Sequence, residues 1–184
     1  MNISLTRAGL SALALTVCGA LGAAQIERLD LTQMVAKTDN SIVGEIIASK
    51  VFRVDDPIDG PELYYTTITI EGRSLVDGKA LQVPVTFPGG FINPEEGVHN
   101  SEAPAADEIR VGNEVIAFYK WADNMGGRVA GNALYASHGG IYRVVQSGSD
   151  YVALGKGAGY ALDKNWKLQK LDAQITLLSD QVKK

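Results

Sequence analysis

Residues 63–72, LYYTTITIEG, alternate without a break. Tyr64, Thr66, Ile68 and Ile70 fall on one face, and Tyr65, Thr67, Thr69 and Glu71 on the other. A period of two over this length is the pattern of a half-buried strand and does not suit a helix. The Asp-Gly turn chemistry of VDGK, residues 76–79, comes next, and then a second alternating run, ALQVPVTF, with Leu81, Val83, Val85 and Phe87 on one face. Two such runs joined by such a turn predict an antiparallel hairpin, and the rest of the fold has to be built around it. Pro84 has no backbone donor, so its strand lies at an edge or turns that donor side away from a partner. Pro88-Gly89-Gly90 then stops the ladder and supplies a turn with positive φ.

Residues 41–54, SIVGEIIASKVFRV, are rich in Val and Ile and predict a long strand, bent or bulged near Gly44 or Ser49. EVIAFYKW (114–121), two short strands around SHGG (137–140) and YVALGKG (151–157) continue the β pattern. Two segments have helical spacing instead. In LDLTQMVAKT, residues 29–38, Asp30 and Gln33 form a capping box ahead of Met34 and Val35. In the tail, about 165–184, Leu168, Leu171, Ile175, Leu178 and Val182 make one apolar seam. That seam is expected to pack on the domain; fewer than three heptads make it a poor coiled coil. The predicted core is Val43, Ile46, Ile68, Ile70, Val83, Val85, Val115, Ile116, Phe118 and Val144. Residues 88–113 read as a long polar loop, either functional or mobile.

The first 24 residues have a different character. Arg7 is their only charge; a short apolar run, LSALALTVCGA, follows, and then Gly22-Ala23-Ala24. This is the layout of a secretory signal peptide, with cleavage expected after Ala24, and the run falls short of the ~20 apolar residues of a membrane span. The expectation is therefore an exported protein, periplasmic or secreted, with one domain over 25–184. LTVC loosely resembles a lipoprotein signal, but Val17 stands where a small residue is preferred. Membrane attachment follows only if Cys18 is lipidated. Cys18 is the only cysteine of the 184 residues, so a chain cleaved after Ala24 has no disulfide and is held by its core. Loss of Arg7, one positive charge, takes the formal charge from −4 to −5, which argues against a nucleic-acid partner.

Little in the sequence carries chemistry. The two histidines, His99 and His138, lack ligand spacing, so no metal is expected, and His138 beside two glycines reads as a surface turn residue. No nucleophile elbow occurs, and no catalytic residue or cofactor is predicted. Asp55, Asp56, Asp59 and Glu62 cluster in one loop without the spacing of a calcium loop and read as a solvated acidic face. GKGAGYAL, 155–162, is glycine-rich but opens no helix, so it reads as a flexible turn rather than a phosphate cradle.

LTQMVAKTDNSIVGEIIAS, YYTTITIE, LQVPVTFPGG, SEAPAADEIRVGNEVIAFYK and GRVAGNALYASHGGIYRV occur in an order that resembles a group of uncharacterised secreted bacterial proteins. The likeness covers most of residues 31–145. Those proteins in turn look distantly like netrin-like modules, which include tissue inhibitors of metalloproteases. The resemblance implies a mainly β, OB-like Greek-key barrel flanked by a short N-terminal and a C-terminal helix. The inhibitors act through an N-terminal cysteine and disulfides, which a cysteine-free mature chain lacks, so that chemistry does not carry over. Here IEGRSLVDGK stands where the group has L-K-G, and TDN stands at the helix exit. No site residue transfers.

The expected function is an exported, non-catalytic binding or interaction module, with a protein partner left open. Regulation of an exported protease and a hydrolase with an unrecognised site are the alternatives. The loop 88–113 and the aromatics Tyr64, Tyr65, Phe91, Tyr119 and Trp121 form the candidate surface; packing is the competing role for those aromatics.

Overall fold

A computed structural model describes residues 28–182; the expected leader, 1–24, lies outside them. The elements are α1 (Leu31–Lys37), β1 (Asn40–Asp56), β2 (Gly60–Ser74), β3 (Ala80–Pro88), β4 (Gly90–Asn93), β5 (Glu96–Val98), β6 (Glu114–Ala122), β7 (Gly131–Leu134), β8 (Ile141–Ser147), β9 (Asp150–Ala153), β10 (Trp166–Lys167) and α2 (Leu168–Val182). Strands β1, β2, β3, β7 and β6 close on themselves, because β6 pairs back onto β1 from Asn40 to Glu45. Every neighbour in this ring is antiparallel except β3 and β7, which meet in parallel at Thr86 and Ala133. The described residues thus form a five-stranded OB-like barrel with two α-helices, and β8, β9 and β10 extend the sheet outward from β6.

Side chains alternate along each strand, so one sheet feeds two cores. Ile42, Ile46, Ile68, Ile70, Val83, Val85, Phe87 and Val115 fill the barrel. Val43, Ile116, Phe118, Tyr142 and Val144 point outward and are covered by α1, α2 and the 160–162 segment. All ten predicted core residues are buried, divided between the two cores. Asp30 Oδ1 accepts from Gln33 N at 2.8 Å, and Gln33 Oε1 accepts from Asp30 N at 3.1 Å, so the capping box forms. Along α2, Leu171, Ile175 and Leu178 are buried against the domain. Val182 falls outside the seam and is 40% exposed. The helix starts at Leu168 because Trp166 and Lys167 pair with β9. No helix of the described residues is long and apolar enough to cross a membrane.

Several local expectations are corrected. The bulge expected near Ser49 forms at Ile47, where Ile46 faces Ile70 and Ala48 faces Thr69, and a second register shift lies between Val54 and Asp56. Gly44 serves another purpose, a close approach to Gly72 on β2. Residues 88–113 are not one structureless loop, since they contain the β4–β5 hairpin. The acidic loop is only partly solvated. Asp56 is buried and accepts from Ile58 N at 2.8 Å and Asp59 N at 3.0 Å, and these amides hold its carboxyl below the usual range. Pro84 behaves as predicted. Its carbonyl accepts from Asn132 Nδ2 on β7 at 3.2 Å, so its ring nitrogen also faces away from the β2 ladder.

Candidate functional site

The site lies where β1 and β2 run past the barrel. After the bulge the odd-numbered residues of β1 turn inward, so Val51 joins Thr66 and Phe87 as the floor of the barrel mouth. Pro88 ends β3, and the chain turns over this floor through Gly89 (φ 97°) and Gly90 (φ 131°). Side chains there would collide: a Cβ on Gly89 would lie 2.7 Å from Asn100 Cβ, and one on Gly90 would press on Thr66 and Val51. The turn is fastened by Gly89 N donating to Tyr64 O at 2.7 Å and by Thr66 Oγ1 donating to Gly89 O at 2.6 Å.

A groove of about 660 Å³ opens above this floor. Phe91 and Val98 of the hairpin form one wall, and Ala103, Pro104, Ala106 and Ile109 the other. Phe91 and Val98 stay exposed although they line an apolar groove, and Ile92 beside Phe91 is exposed as well. Two smaller hollows flank the segment 98–103: about 310 Å³ beside Tyr64, Tyr65 and His99, and about 200 Å³ beside Phe87, Met125 and Leu134. Mouths of β-barrels lined by apolar residues with a few polar groups are common ligand sites.

The 102–109 wall is held from outside. Lys156 Nζ lies 2.6 Å from Glu108 Oε1 and donates to His138 O at 2.7 Å. His138 N donates to Glu102 O at 2.9 Å. The His138 ring has Nδ1 at 3.2 Å from Glu102 O and Nε2 at 2.9 Å from the Tyr160 hydroxyl. A carbonyl only accepts, so Nδ1 carries the proton and Nε2 accepts from Tyr160 in the neutral ring. His138 is therefore a partly buried fastener and not a surface turn residue. The 155–162 segment is likewise pinned rather than flexible, with Lys156 N on Leu162 O at 2.9 Å and Gly155 N on Asn165 Oδ1 at 3.0 Å. His99 is exposed at the groove rim. No group of three or more His, Cys, Asp or Glu suited to a metal occurs among the described residues.

The loops joining β1 to β2 and β6 to β7 flank the binding face of OB barrels, and here they are tied together. Gly127 N donates to Asp59 Oδ2 at 2.7 Å, Arg128 lies 3.3 Å from Asp56, and the Tyr65 hydroxyl donates to Met125 O and Gly126 O at 2.9 and 3.1 Å. No family model matches the chain, nor does any curated protein or solved structure.

The five candidate aromatics separate. Phe91, 51% exposed, lines the groove. Tyr64 and Tyr65 are buried beside the 310 Å³ hollow, with the Tyr65 ring stacked on Phe52 at 5.7 Å. Tyr119 is buried with the barrel core, and burial raises its hydroxyl pKa. Trp121, 54% exposed, donates through Nε1 to Asp123 at 2.9 Å and is no part of the groove. Sequence reasoning missed Val51, Thr66 and Phe87, whereas Val98 and Ile109 lie in the 88–113 loop it named. The alternation of β2 and β3 could have placed Thr66 and Phe87 inward, but nothing local marks Val51, whose face depends on the bulge.

Proposed function

We propose that the chain is an exported, non-catalytic binding module that receives its ligand at the barrel mouth. One observation carries this reading: an apolar groove whose 102–109 wall is fastened by Lys156 and His138, while Phe91 and Val98 on the opposite wall remain exposed. A site fixed in advance loses little ordering entropy on binding. The leader-like residues 1–24 support export, and the barrel topology supports a distant netrin-like relationship.

Affinity capture tests the function. A tagged 25–184 chain and its Val98→Asp variant are used as baits on envelope and secreted fractions. A component retained by the first and lost with the second supports the reading; equal recovery overturns it. The β4–β5 hairpin with exposed Phe91 and Ile92 favours a second reading, regulation of an exported protease. That reading requires the retained component to be a protease. The mass of the mature protein separates cleavage near Gln25 from lipidation at Cys18, and a chain that keeps residues 1–24 overturns export.

A further inference from the structure

β1 is paired on both sides only for its first part. On the β6 side the pairing ends at Glu45, followed by Ile46 N donating to Asn113 O and Gly112 N donating to Ile46 O, both at 2.9 Å. Beyond that point, among the described residues, no strand pairs with this side of β1, although β1 continues along β2 to Asp56.

The register tells which groups face the open side. In an antiparallel ladder, residues alternate between bonding the partner strand and turning their N–H and C=O away from it. The Tyr64 carbonyl accepts from Gly89, on the β3 side, so Tyr64 and its partner Arg53 form a pair turned away from each other. Counting back by twos, Val51 (opposite Thr66) and Ser49 (opposite Ile68) are turned outward as well. The three residues with N–H and C=O on the open edge thus include Ser49 and Val51, which also line the groove.

Resting on the binding reading above, we propose that this edge of β1 takes an extended peptide segment of a partner protein by strand addition. Main-chain bonds form to Ser49, Val51 and Arg53, and alternate side chains of the peptide enter the groove between Phe91 and Ile109. Strand addition gives affinity through the backbone and specificity through alternate side chains. The apolar walls call for small or medium apolar residues on the inward side. On the opposite face β1 presents exposed Lys50, which favours acidic or polar residues at the intervening positions. A second copy of β1 fits poorly. Antiparallel pairing about Val51 would set Arg53 of one chain opposite Ser49 of the other, over the apolar groove, and draw its guanidinium from Asp55 at 3.0 Å and Glu62 at 3.4 Å.

The test selects displayed random decapeptides on the 25–184 chain and follows backbone amide exchange by NMR. Ala106→Trp, which fills the groove, serves as counter-selection. The expected peptides alternate apolar and polar residues. At saturation they slow exchange at Ser49, Val51 and Arg53 by about tenfold or more, while Lys50 and Phe52, already bonded to β2, change little. Methylating alternate peptide nitrogens weakens binding about tenfold, and methylating the intervening ones does not. Val51→Pro removes an edge donor without removing a bond to β2, and weakens binding with the circular dichroism unchanged. Peptides that bind the groove without slowing the three amides overturn strand addition and leave the binding module standing. No enrichment over Ala106→Trp also overturns the proposal, with the affinity capture still deciding the broader reading. Concentration-dependent slowing of the same amides without peptide overturns it in favour of a second copy.

Discussion

Gly44→Ala puts the coiling of the barrel to a test. Gly44 and Gly72 face each other across β1 and β2. A Cβ on Gly44 would press on the Glu71 carbonyl and lie 2.7 Å from Gly72 Cα; one on Gly72 would lie 2.6 Å from Gly44 Cα. Against the 3.4 Å at which ordinary contact begins, the shortfall to Gly72 Cα is about 0.7 Å and that to the Glu71 carbonyl oxygen is larger, and the obstacle is backbone on both sides. Neither glycine has positive φ. Alanine therefore carries no conformational penalty there and gains roughly 0.4–1 kcal/mol by restricting the unfolded chain. Overpacking costs about 1–3 kcal/mol, and a rigid backbone obstacle places this case at the upper end. The net loss expected is about 2 kcal/mol. It is read as a lower urea midpoint at constant slope, with circular dichroism as the signal. Once the strands have parted, a second methyl has room, so Gly44→Ala with Gly72→Ala loses less than the sum of the two. Gly148→Ala is the control. Its φ is +63° with open space around it, so it loses about 1 kcal/mol from backbone strain and adds independently to Gly44→Ala. A Gly44→Ala protein as stable as the parent would refute the close-approach argument.

Three further substitutions probe other parts of the molecule. Tyr65→Phe loses about 1 kcal/mol with the two carbonyl bonds, and amide exchange at Gly127 quickens as the β6–β7 loop loosens; an unchanged loop would mean that Tyr65 is free for another role. Glu114→Gln tests electrostatics. Burial and then Glu45, its cross-strand partner, hold the Glu114 carboxyl above its usual range. A raised folded pKa gives stability that is fully present below the unfolded value, about 4.3, and lost as pH rises through the folded one. The glutamine variant is therefore the more stable by about 0.2–1 kcal/mol at pH 7, and the advantage vanishes below about pH 4. Urea midpoints at both pH values check this, and equal midpoints at pH 7 would contradict it. Ile175→Ala, at a fully buried position, costs about 3 kcal/mol without altering sedimentation. A change in sedimentation with little loss of stability would show that the α2 seam pairs between chains.

The strands, the capped α1 and the α2 seam were legible because their signals are local. Period-two alternation, an Asp-Gly turn, Asp30 with Gln33 and a three-four apolar repeat each act within one element. The ten predicted core residues are buried because they are large and apolar on strands with both faces covered, the barrel interior on one side and the helices on the other. What the sequence by itself determined is thus a β-rich domain with two terminal helices and a strand that has to end at Pro88. Tertiary structure alone decided the site. The one-residue bulge at Ile47 reverses which face of β1 points inward, and only that reversal brings Val51 over Thr66 and Phe87. The fastening of the 102–109 wall joins Glu102 and Glu108 to His138, Lys156 and Tyr160, residues far apart in the chain. No local propensity encodes such a contact, because its energy exists only once the barrel has closed.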